Sequence, residues 1–436
     1  MPRSRYLWIY LVLPAVLIFC SYNIKWGKER WKTILEFDSF GYYVYLPAVF
    51  IYQDLHFGFI ETIVQKYHHN QVTNKFEFRQ AVNGKSINKY YCGTALAQLP
   101  FFGLAHFLSG AFHLEKDGYA KIYLVFINLA AIFYLMLGLF YLRRLLLILN
   151  LPEWKLAFLM TATVFGTPLF YYTVIEPGMS HVYSFAFVTM FLYYSRQFFL
   201  SPKNRYVLIL ALLLGLITLI RPVNALAILL VFFTAGSFEN LKRGFYFLLS
   251  RPGIILSGFS IFLLFVSLQL LLYKISTGQW WVYSYGNEGF HFLNPHFIDI
   301  LFSYRKGLFL YTPLFFISLA GAYFLWFKSR YQFFSLISFL FFLTYILSSW
   351  WSWWYGGSFS GRPFLEFSAL FIFLLALALK ELRNPVLAKS YLALIVFLTL
   401  VCQFQTYQYR KGYIHYEEMT KDQYWNVFLN PRKLLK

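Results

Sequence analysis

Long apolar runs separated by short polar connections occupy the chain from end to end. A helix needs about 20 apolar residues to cross a bilayer. Nine runs approach that length: 6–24, 121–142, 155–174, 181–200, 253–273, 308–327, 331–349, 364–380 and 390–406. A tenth run, 206–238, is too long for one crossing and is interrupted by Arg221-Pro222, which divides it into short spans at 206–220 and 223–238. The pattern predicts an all-α transmembrane bundle of about eleven spans.

The composition supports this class. Hydrophobic residues make up 59% of the 436 positions and charged residues only 13%, which excludes a soluble domain of this size. Arg3 and Arg5 precede the first run, but no small-x-small cleavage site follows it, so we interpret it as a span and not a signal peptide. Of the three cysteines, Cys20 and Cys402 fall within spans, so neither a disulfide framework nor a cysteine metal cluster is indicated.

Basic residues are concentrated in alternate connections. With a cytoplasmic N-terminus and alternating spans, the inner connections hold Arg143, Arg144, Lys155, Arg196, Lys203, Arg205, Lys242, Arg243, Arg251, Lys328, Arg330, Lys380, Arg383 and Lys389, opposed only by Glu153, Glu239 and Glu381. This is a positive-inside pattern. It assigns to the outer face 25–120, 175–180, Arg221, 274–307, 350–363 and the tail. The net charge of +20 is largely explained by this topology and by contact with anionic lipids.

The predicted organisation is one transmembrane domain, 1–406, followed by a polar C-terminal tail, 407–436. The first outer loop, 25–120, is the largest, and 274–307 is the second. Within the first loop, the apolar run 42–50 is too short to span and predicts an interfacial helix. A second interfacial helix is predicted to start near Lys89-Tyr90, because a crossing within 90–113 alone would invert every later loop.

Asp38 is the first candidate for chemistry. It lies in Phe37-Asp38-Ser39-Phe40-Gly41-Tyr42-Tyr43, just after the first span, in a chain with only 18 acidic residues. A carboxylate at a low-dielectric surface can act as a general base when an acceptor hydroxyl reaches it. The alternative is a structural role, as an interfacial cap or as a partner of Arg30 or Lys32.

Glu176 and His181 form the second candidate group, because an acid again lies at the outer end of a span. They could supply a second catalytic carboxylate, a contact to a substrate hydroxyl, or a divalent metal site shared with Asp38. The alternative is a helix-end acid before Pro177 and a solvated histidine. No cofactor other than a possible divalent metal is indicated.

Several basic residues on the outer face could bind a lipid phosphate, because guanidinium and ammonium groups match phosphate in charge and geometry. These candidates are Lys89, Arg221, Arg305, Lys306 and Arg362. Arg221 is notable because an ionisable residue in a break between short spans is by default a functional hypothesis. The alternative for all five is that they are basic anchors at span ends, extending towards the head groups.

The tryptophan-rich segment 350–363 is the last of the connections between spans that are assigned to the outer face. Tryptophans at 350–354 are typical of an aromatic belt at the membrane surface. The glycines that follow at 356, 357 and 361 are not needed by a belt, because a belt does not require a permissive backbone. They predict a tight loop, which contains Tyr355, folding over a groove.

The chain resembles the polytopic GT-C glycosyltransferases over about residues 6–380. That superfamily includes protein O-mannosyltransferases, lipid A aminoarabinose transferase and related bacterial envelope glycosyltransferases. The similarity lies in the acid near the start of the first outer loop, Asp38, and in Lys89-Tyr90 before a glycine-containing helix. It lies also in the acid after the third span, Glu176, and in Arg221-Pro222 at a short span. The last similar element is the Trp- and Gly-rich segment 353–362, which ends in Gly-Arg.

The resemblance implies a seven-span core followed by further spans, in the cytoplasmic membrane of a bacterium with the active site facing outward. It also implies transfer of a sugar from a polyprenyl-phosphate donor to a glycan, lipid or protein acceptor. A single base with no paired acid favours inversion at the anomeric carbon over the two-carboxylate arrangement of glycoside hydrolysis. Substrate binding is expected at Lys89, Tyr90, His181, Arg221, Arg305, Lys306, Tyr355 and Arg362, and catalysis at Asp38 and Glu176. Two alternatives stay open: a lipid-linked glycan polymerase or ligase that depends on arginines, and a non-enzymatic lipid or solute transporter. Nothing in the sequence resembles a nucleic-acid-binding module.

Overall fold

The computed structural model describes residues 9–67 and 78–430. Arg3 and Arg5, which entered the argument on the first span, lie outside the described residues. Within these ranges the chain is helical through most of its length, so the prediction of an all-α membrane protein is confirmed at that level.

The helices of the first half carry the first outer loop and the beginning of the bundle. They are α1 (Ile9–Ser21), α2 (Asp38–Tyr43), α3 (Tyr45–Phe50), α4 (Ile60–Tyr67), α5 (Gly93–Ala111), α6 (Lys121–Leu146), α7 (Glu153–Phe165), α8 (Leu169–Val174), α9 (His181–Leu200) and α10 (Asn204–Ile220). A π-helical turn, Tyr22–Trp26, extends α1, and short 3-10 helices cover Arg30–Ile34 and Leu147–Leu149.

The second half continues after a break at Arg221. A 3-10 helix, Pro222–Leu229, leads into α11 (Leu230–Ala235), α12 (Phe238–Leu249), α13 (Pro252–Thr277), α14 (Phe297–Phe302), α15 (Leu308–Tyr311), α16 (Pro313–Ser318), α17 (Ala320–Lys328) and α18 (Arg330–Ser348). A further 3-10 helix, Arg362–Phe367, precedes α19 (Ser368–Glu381), α20 (Pro385–Arg410) and α21 (Lys421–Val427).

Six helical segments among the described residues have the length and hydropathy to cross a membrane. They are Ile9–Trp26, Lys121–Leu149, Pro252–Thr277, Arg330–Ser348, Arg362–Glu381 and Pro385–Arg410. A seventh is possible if Pro222–Ala235 and Phe238–Leu249, which meet at a bend of 119°, are counted together. The remaining predicted spans correspond to helices that are shorter, interrupted or more polar, so about eleven crossings are not confirmed.

A small β-hairpin lies in the described part of the first outer loop. Strand β1 (Arg79–Val82) pairs antiparallel with β2 (Lys85–Asn88). The two-residue turn, Asn83-Gly84, has positive φ at both positions (51° and 74°), which is the conformation that Asn-Gly favours in tight hairpins. The hairpin leads directly to Lys89 and Tyr90, so it determines where these two predicted site residues enter the fold.

The segments assigned to the outer face from charge are in contact with one another. The second outer loop pairs with the Trp-rich segment through a β-bridge between Phe290 and Trp350, and the amide of Trp351 donates to the carbonyl of Gly289 at 2.9 Å. The interfacial helix predicted at 42–50 is divided between the end of α2 and α3. Residues 45–48 of α3 are buried. This part of the first loop is therefore packed into the protein and does not lie on its surface.

The described part of the C-terminal segment, up to residue 430, packs against the rest of the fold. Helix α20 continues to Arg410, and the chain then returns so that Tyr424 packs on Tyr311 and accepts a hydrogen bond of 2.9 Å from Gln405. Ile414 and Met419 belong to the main hydrophobic core. The predicted domain boundary at 406 thus separates residues that are packed together in the fold.

Candidate functional site

One large cavity, of about 1070 Å³, opens where the segments that the charge pattern assigned to the outer face meet. Its walls come from the first loop, the turn before α9, the break before Pro222, the second loop, the Trp-rich segment and the chain after α20. Eight of the ten predicted site residues line it: Asp38, Lys89, Tyr90, Glu176, His181, Arg221, Tyr355 and Arg362. Residues predicted from separate connections of the chain are therefore neighbours in space.

Asp38 is held by two partners in this cavity. Its Oδ2 accepts a hydrogen bond of 2.8 Å from Nη2 of Arg362, and its Oδ1 accepts one of 3.0 Å from the hydroxyl of Tyr90. Burial raises the pKa of Asp38, but Arg362, Lys89 and the Tyr90 hydrogen bond outweigh it, and the pKa lies below its usual value. Asp38 is therefore ionised, and both of its oxygens are occupied.

The local sequence explains how Asp38 and Tyr90 come together. Gly41, one turn after Asp38 in α2, lies under the Tyr90 ring, and a Cβ at this position would be 2.4 Å from Cδ2 of that ring. Only glycine permits this approach. Phe37, immediately before Asp38, has φ 52° and ψ −131°, a conformation that costs a non-glycine residue about 1–3 kcal/mol. The strained backbone thus adjoins the candidate catalytic carboxylate.

Arg221 is oriented by the proline that follows it. A residue before proline is disfavoured in the α region, and Arg221 is accordingly extended, with φ −151° and ψ 119°. Helix α10 ends at Ile220 for this reason, and Pro222 opens the next 3-10 helix. The guanidinium carbon of Arg221 lies 5.9 Å from the centre of the Tyr355 ring, which is a cation–π distance.

Glu366 joins Arg221 and His181 and was not predicted. Its Oε1 accepts a hydrogen bond of 2.8 Å from Nη1 of Arg221 and lies 3.1 Å from Nδ1 of His181. Glu366 is completely buried, and it follows Arg362 by four residues in the same 3-10 helix. Two ion pairs, Asp38–Arg362 and Glu366–Arg221, are therefore linked through one short helical segment.

His181 is buried and is not the solvated side chain considered as an alternative. Its exposed fraction is 1%, and its ring packs edge-on to Tyr172. A carboxylate at Nδ1 favours the tautomer with the proton on that nitrogen, which leaves Nε2 as an acceptor. Nε2 has no hydrogen-bond partner in the part of the chain that the structure describes.

Glu176 and Glu36 form the other carboxylate group of the cavity. Gly178 brings the Glu176 turn against Ser39, because a Cβ at Gly178 would be 2.7 Å from that of Ser39. Burial raises the pKa of Glu176, and the hydrogen bond of 2.7 Å from Tyr171 lowers it. Burial has the larger effect, so the pKa lies above its usual value. Burial also raises the pKa of Glu36, to about 7, despite the nearby charge of Lys25. This end of the cavity therefore holds carboxyl groups that are more easily protonated than Asp38.

Lys89 connects the hairpin to the second outer loop. Its Nζ lies 3.2 Å from Oε1 of Glu288, and its carbonyl accepts a hydrogen bond from Ser284 at 2.8 Å. Tyr355 is fixed in the Trp-rich loop, where its hydroxyl donates to the carbonyl of Leu347 at 3.0 Å. Both residues thus line the cavity from positions braced by backbone contacts.

Arg305 and Lys306 do not line the cavity. The Arg305 guanidinium stacks on Trp354 at 3.5 Å and donates to the carbonyl of Glu417 at 3.1 Å. Lys306 is buried and donates to the carbonyls of Ser358 and Tyr416. The two predicted phosphate ligands instead fasten the Trp-rich loop to the C-terminal segment, behind the cavity wall.

The described residues contain no set of side chains suited to the divalent metal that the sequence suggested. No group of three or more His, Cys, Asp or Glu side chains among them is arranged to hold a metal ion. His181 faces Glu366, and Asp38 is occupied by Arg362 and Tyr90. The site shared by Asp38, Glu176 and His181 that the sequence suggested is therefore not formed by these side chains.

Several residues in or beside the cavity were missed from the sequence, among them Glu36, Glu366 and four residues after 406. Glu36 lies two positions before Asp38 and was overlooked beside it. Glu366 was included in an apolar span, although an acid within such a run is itself a functional signal. Tyr409, Arg410, Tyr416 and Glu417 were assigned to a tail, and no simple periodicity links them to the site.

Comparison with protein-family models, with curated proteins and with solved structures finds no match to this chain.

Proposed function

We propose that this protein is a GT-C-type glycosyltransferase of about eleven spans in the cytoplasmic membrane of a bacterium. It moves a sugar from a polyprenyl-phosphate donor to a glycan, lipid or protein acceptor at the outer face. The observation that carries the proposal is the carboxylate of Asp38, which faces a cavity also lined by Arg362, Arg221 and Lys89. One such cavity offers a base for an acceptor hydroxyl and cations for a phosphate.

The size and lining of the cavity are consistent with two substrates. Its volume of about 1070 Å³ is slightly above the range of about 300–1,000 Å³ that is usual for pockets of drug-sized ligands. Aromatic side chains, among them Tyr285, Trp350 and Tyr355, alternate with the charged groups along its walls. A sugar phosphate and an acceptor can therefore lie side by side near Asp38.

The reaction follows from these groups. Asp38 accepts the proton of the acceptor hydroxyl as that oxygen forms a bond to the anomeric carbon. The bond between the anomeric carbon and the phosphate oxygen breaks, and its electron pair stays with the lipid phosphate. Arg221, Arg362 and Lys89 stabilise the charge that develops there, which replaces a general acid. Attack from the face opposite the leaving group inverts the anomeric carbon.

The Asp38–Arg362 pair provides a way to couple donor binding to base strength. A donor phosphate that attracts Arg362 weakens the pair, and the pKa of Asp38 then rises, because Arg362 is one of the groups that lower it. Asp38 becomes a stronger base only when the leaving group is in position. Tyr90 keeps the carboxylate oriented through Oδ1 during this exchange.

The experiment compares sugar transfer by the parent protein, Asp38→Asn and Asp54→Asn in membranes at equal expression, with a panel of labelled polyprenyl-phosphate sugars. Asp54 is a matched control: it lies in the same outer loop and caps the backbone amides of His56 and Gly58, but does not line the cavity. We expect Asp38→Asn to lose about a hundredfold or more, as for a lost general base. Equal activity of parent and Asp38→Asn contradicts the role of Asp38.

A second candidate is a lipid-linked glycan polymerase or ligase that depends on arginines. The observation in its favour is that Asp38 is paired with Arg362, as a structural carboxylate would be. In that case Arg221→Gln and Arg362→Gln abolish activity while Asp38→Asn retains it with the same substrates. The same set of membranes therefore distinguishes the two candidates.

A further inference from the structure

A second, smaller cavity lies at the opposite end of the bundle. Its volume is about 280 Å³. Helix α9 extends from His181, at the large cavity, to the small one at Arg196, 15 residues later, which is about 22 Å at 1.5 Å per residue. Helix α19, which follows Arg362, likewise reaches it with Lys380 and Glu381. The positive-inside pattern assigns this end of the bundle to the cytoplasm.

The walls of the small cavity are apolar and its rim is basic. Leucine, isoleucine and phenylalanine side chains from six helical segments form most of the lining, including Leu192, Phe233, Phe373 and Leu377. Three cations reach it, Arg196, Lys328 and Lys380, against the single acid Glu381. The rim of the cavity therefore carries a net positive charge next to an apolar depression. This combination suits an anionic lipid, whose head group binds the cations while its glycerol and first methylene groups contact the apolar walls.

Arg196 is built into this cavity and has donors to spare. Its Nη1 donates to the carbonyls of Thr234 and Ala235, at 3.1 and 3.2 Å, at the end of α11. Gly236 has φ 79° and lies so close that a Cβ would be 2.8 Å from Nη1. A guanidinium has five N–H groups, and Nε and Nη2 have no hydrogen-bond partner among the described residues. The side chain is thus held in place with a free edge.

The other two cations differ in how they are engaged. Lys328 lies 2.6 Å from Glu381, whose side chain is only 9% exposed, so this acid is already neutralised. Lys380 is exposed and makes no ion pair within the described chain. Arg196 and Lys380 are therefore the two charges available to an added anion.

We infer that this cavity binds the phosphate head group of an anionic phospholipid of the cytoplasmic leaflet. Basic pockets between transmembrane helices on this side of a membrane recognise such head groups. The volume is below the range of whole drug-sized ligands, so it suits a head group and not a complete lipid. The free edge of the guanidinium binds the phosphate oxygens, Lys380 adds the second charge, and the acyl chains lie against the neighbouring helices.

The test measures lipid binding to the full-length protein in detergent, by native mass spectrometry and by the shift in unfolding temperature. The probes are dioleoyl phosphatidylglycerol, dioleoyl phosphatidylcholine and inorganic phosphate. We expect phosphatidylglycerol to bind at least tenfold more tightly than phosphatidylcholine, because the latter carries a compensating cation. Each removed cation should weaken phosphatidylglycerol binding by about fivefold.

The variants are Arg196→Gln and Lys380→Gln, with Arg205→Gln as the control. Arg205 is a basic residue at the same end of the bundle whose guanidinium contacts only Tyr206 in the described structure. Lys380→Gln decides the question if Arg196→Gln fails to fold, because Lys380 is exposed. Unchanged preference in both variants, equal loss in Arg205→Gln, or equal binding of both lipids overturns the inference. Competition by millimolar inorganic phosphate also overturns it, since the site would then take a free anion.

Discussion

Arg221 donates a hydrogen bond of 2.8 Å to Glu366 across 145 residues of sequence. Glu366 has no exposed surface, whereas the side chain of Arg221 keeps 16% of its exposure and faces the cavity. A buried carboxylate thus holds one end of a guanidinium whose other end is available to a ligand. His181 contacts the same carboxylate oxygen atom, so the position of both cavity residues depends on one acid.

Replacing Glu366 with glutamine should reduce sugar transfer by about ten- to a hundredfold, because Arg221 loses the charge that orients it. Glu366 does not line the cavity, so its effect is expected in the position of Arg221 and in the KM for donor as well as in kcat. Glu366→Ala should also destabilise the fold by about 3–5 kcal/mol, the cost of leaving a buried charge unpaired. Transfer assays and thermal unfolding measure the two effects.

Glu239→Gln serves as the matched control for Glu366, because Glu239 is exposed in the first turn of α12. It should change neither activity nor stability appreciably. Normal donor KM and kcat in a folded Glu366→Gln protein would show that Arg221 needs no charged partner.

The Asp38–Arg362 pair should show coupling in a double-mutant cycle. Arg362→Gln removes the charge that lowers the pKa of Asp38, and the double variant with Asp38→Asn should recover part of the lost stability. We expect a coupling free energy of about 1–3 kcal/mol from thermal unfolding near pH 7. Because the folded pKa of Asp38 is below its usual 3.8, this contribution is present above about pH 3.8 and disappears as the pH falls through the folded pKa.

The exposed pair Glu61–Arg79 in the same outer loop is the control for this cycle. Its atoms are 2.7 Å apart, but the glutamate side chain is 57% exposed, so the coupling should stay below about 1 kcal/mol. Additive effects at Asp38 and Arg362 would mean that the pair does not stabilise the fold.

Eight of the ten site residues predicted from the sequence line the cavity, but the sequence did not determine how they pair. Asp38, Glu176, Arg221 and Arg362 were chosen because charges at the ends of apolar runs are costly and need a reason. The structure brings them to one cavity. Asp38 and Arg362 are separated by 324 residues, and no local periodicity determines which arginine meets which acid. Arg305 met the same criterion but does not line the cavity. The criterion identifies a charged residue at the end of an apolar run, and it does not show towards which part of the fold the side chain extends.

For the fold, too, the sequence predicted the general class but not the positions of the helix breaks or the burial of the last segment. Hydropathy was enough to identify a helical membrane protein, and the six strongest spans coincide with predicted ones. The weaker spans contain helix breaks that only packing resolves, such as the one at 166–168 between α7 and α8. The chain after 406 was read as polar, yet Tyr409, Tyr424 and Val427 are buried, since its apolar residues are spaced irregularly between charged ones.

Glu36 should make the stability of the protein fall with rising pH. Its pKa is raised from 4.5 to about 7 in the folded protein, mainly by burial. Between these values the folded state binds more protons than the unfolded state, so the free energy of unfolding decreases from about pH 4.5 to about pH 7 and then levels off. Glu36→Gln should flatten this part of the profile and raise the unfolding temperature at pH 8.

The measurement for Glu36 is the unfolding temperature of parent and variant from pH 5 to pH 8 in one detergent. Glu29→Gln, in the same loop, is the control, because the Glu29 side chain is 77% exposed and should leave the profile unchanged. A variant profile that parallels the parent would place the titrating group elsewhere.

Arg221 and Arg305 should respond differently to the same substitution. Arg221→Gln removes a cation that lines the cavity, so the KM for the phosphate donor should rise about tenfold or more, since a charge-assisted contact is lost. Arg305→Gln removes stacking on Trp354 and contacts to Glu417, so it should lower the unfolding temperature with a donor KM within about twofold of the parent. Donor titrations and thermal unfolding distinguish the effects of the two substitutions. A raised donor KM for Arg305→Gln would indicate that Arg305 does bind the donor phosphate.

Single cysteines should report the orientation of the cavity. Ser39 and Ser358, although they adjoin the site, are only 1% and 0% exposed, so cysteines there would be protected by burial alone. Gln279 and Glu418 are exposed on the cavity side, and Lys242 is exposed at the other end. In a Cys20→Ser background, a membrane-impermeant maleimide applied to intact cells should label Gln279→Cys and Glu418→Cys but not Lys242→Cys. Labelling of Lys242→Cys alone would invert the topology and place the Asp38 cavity in the cytoplasm, where an outer-face transferase cannot act.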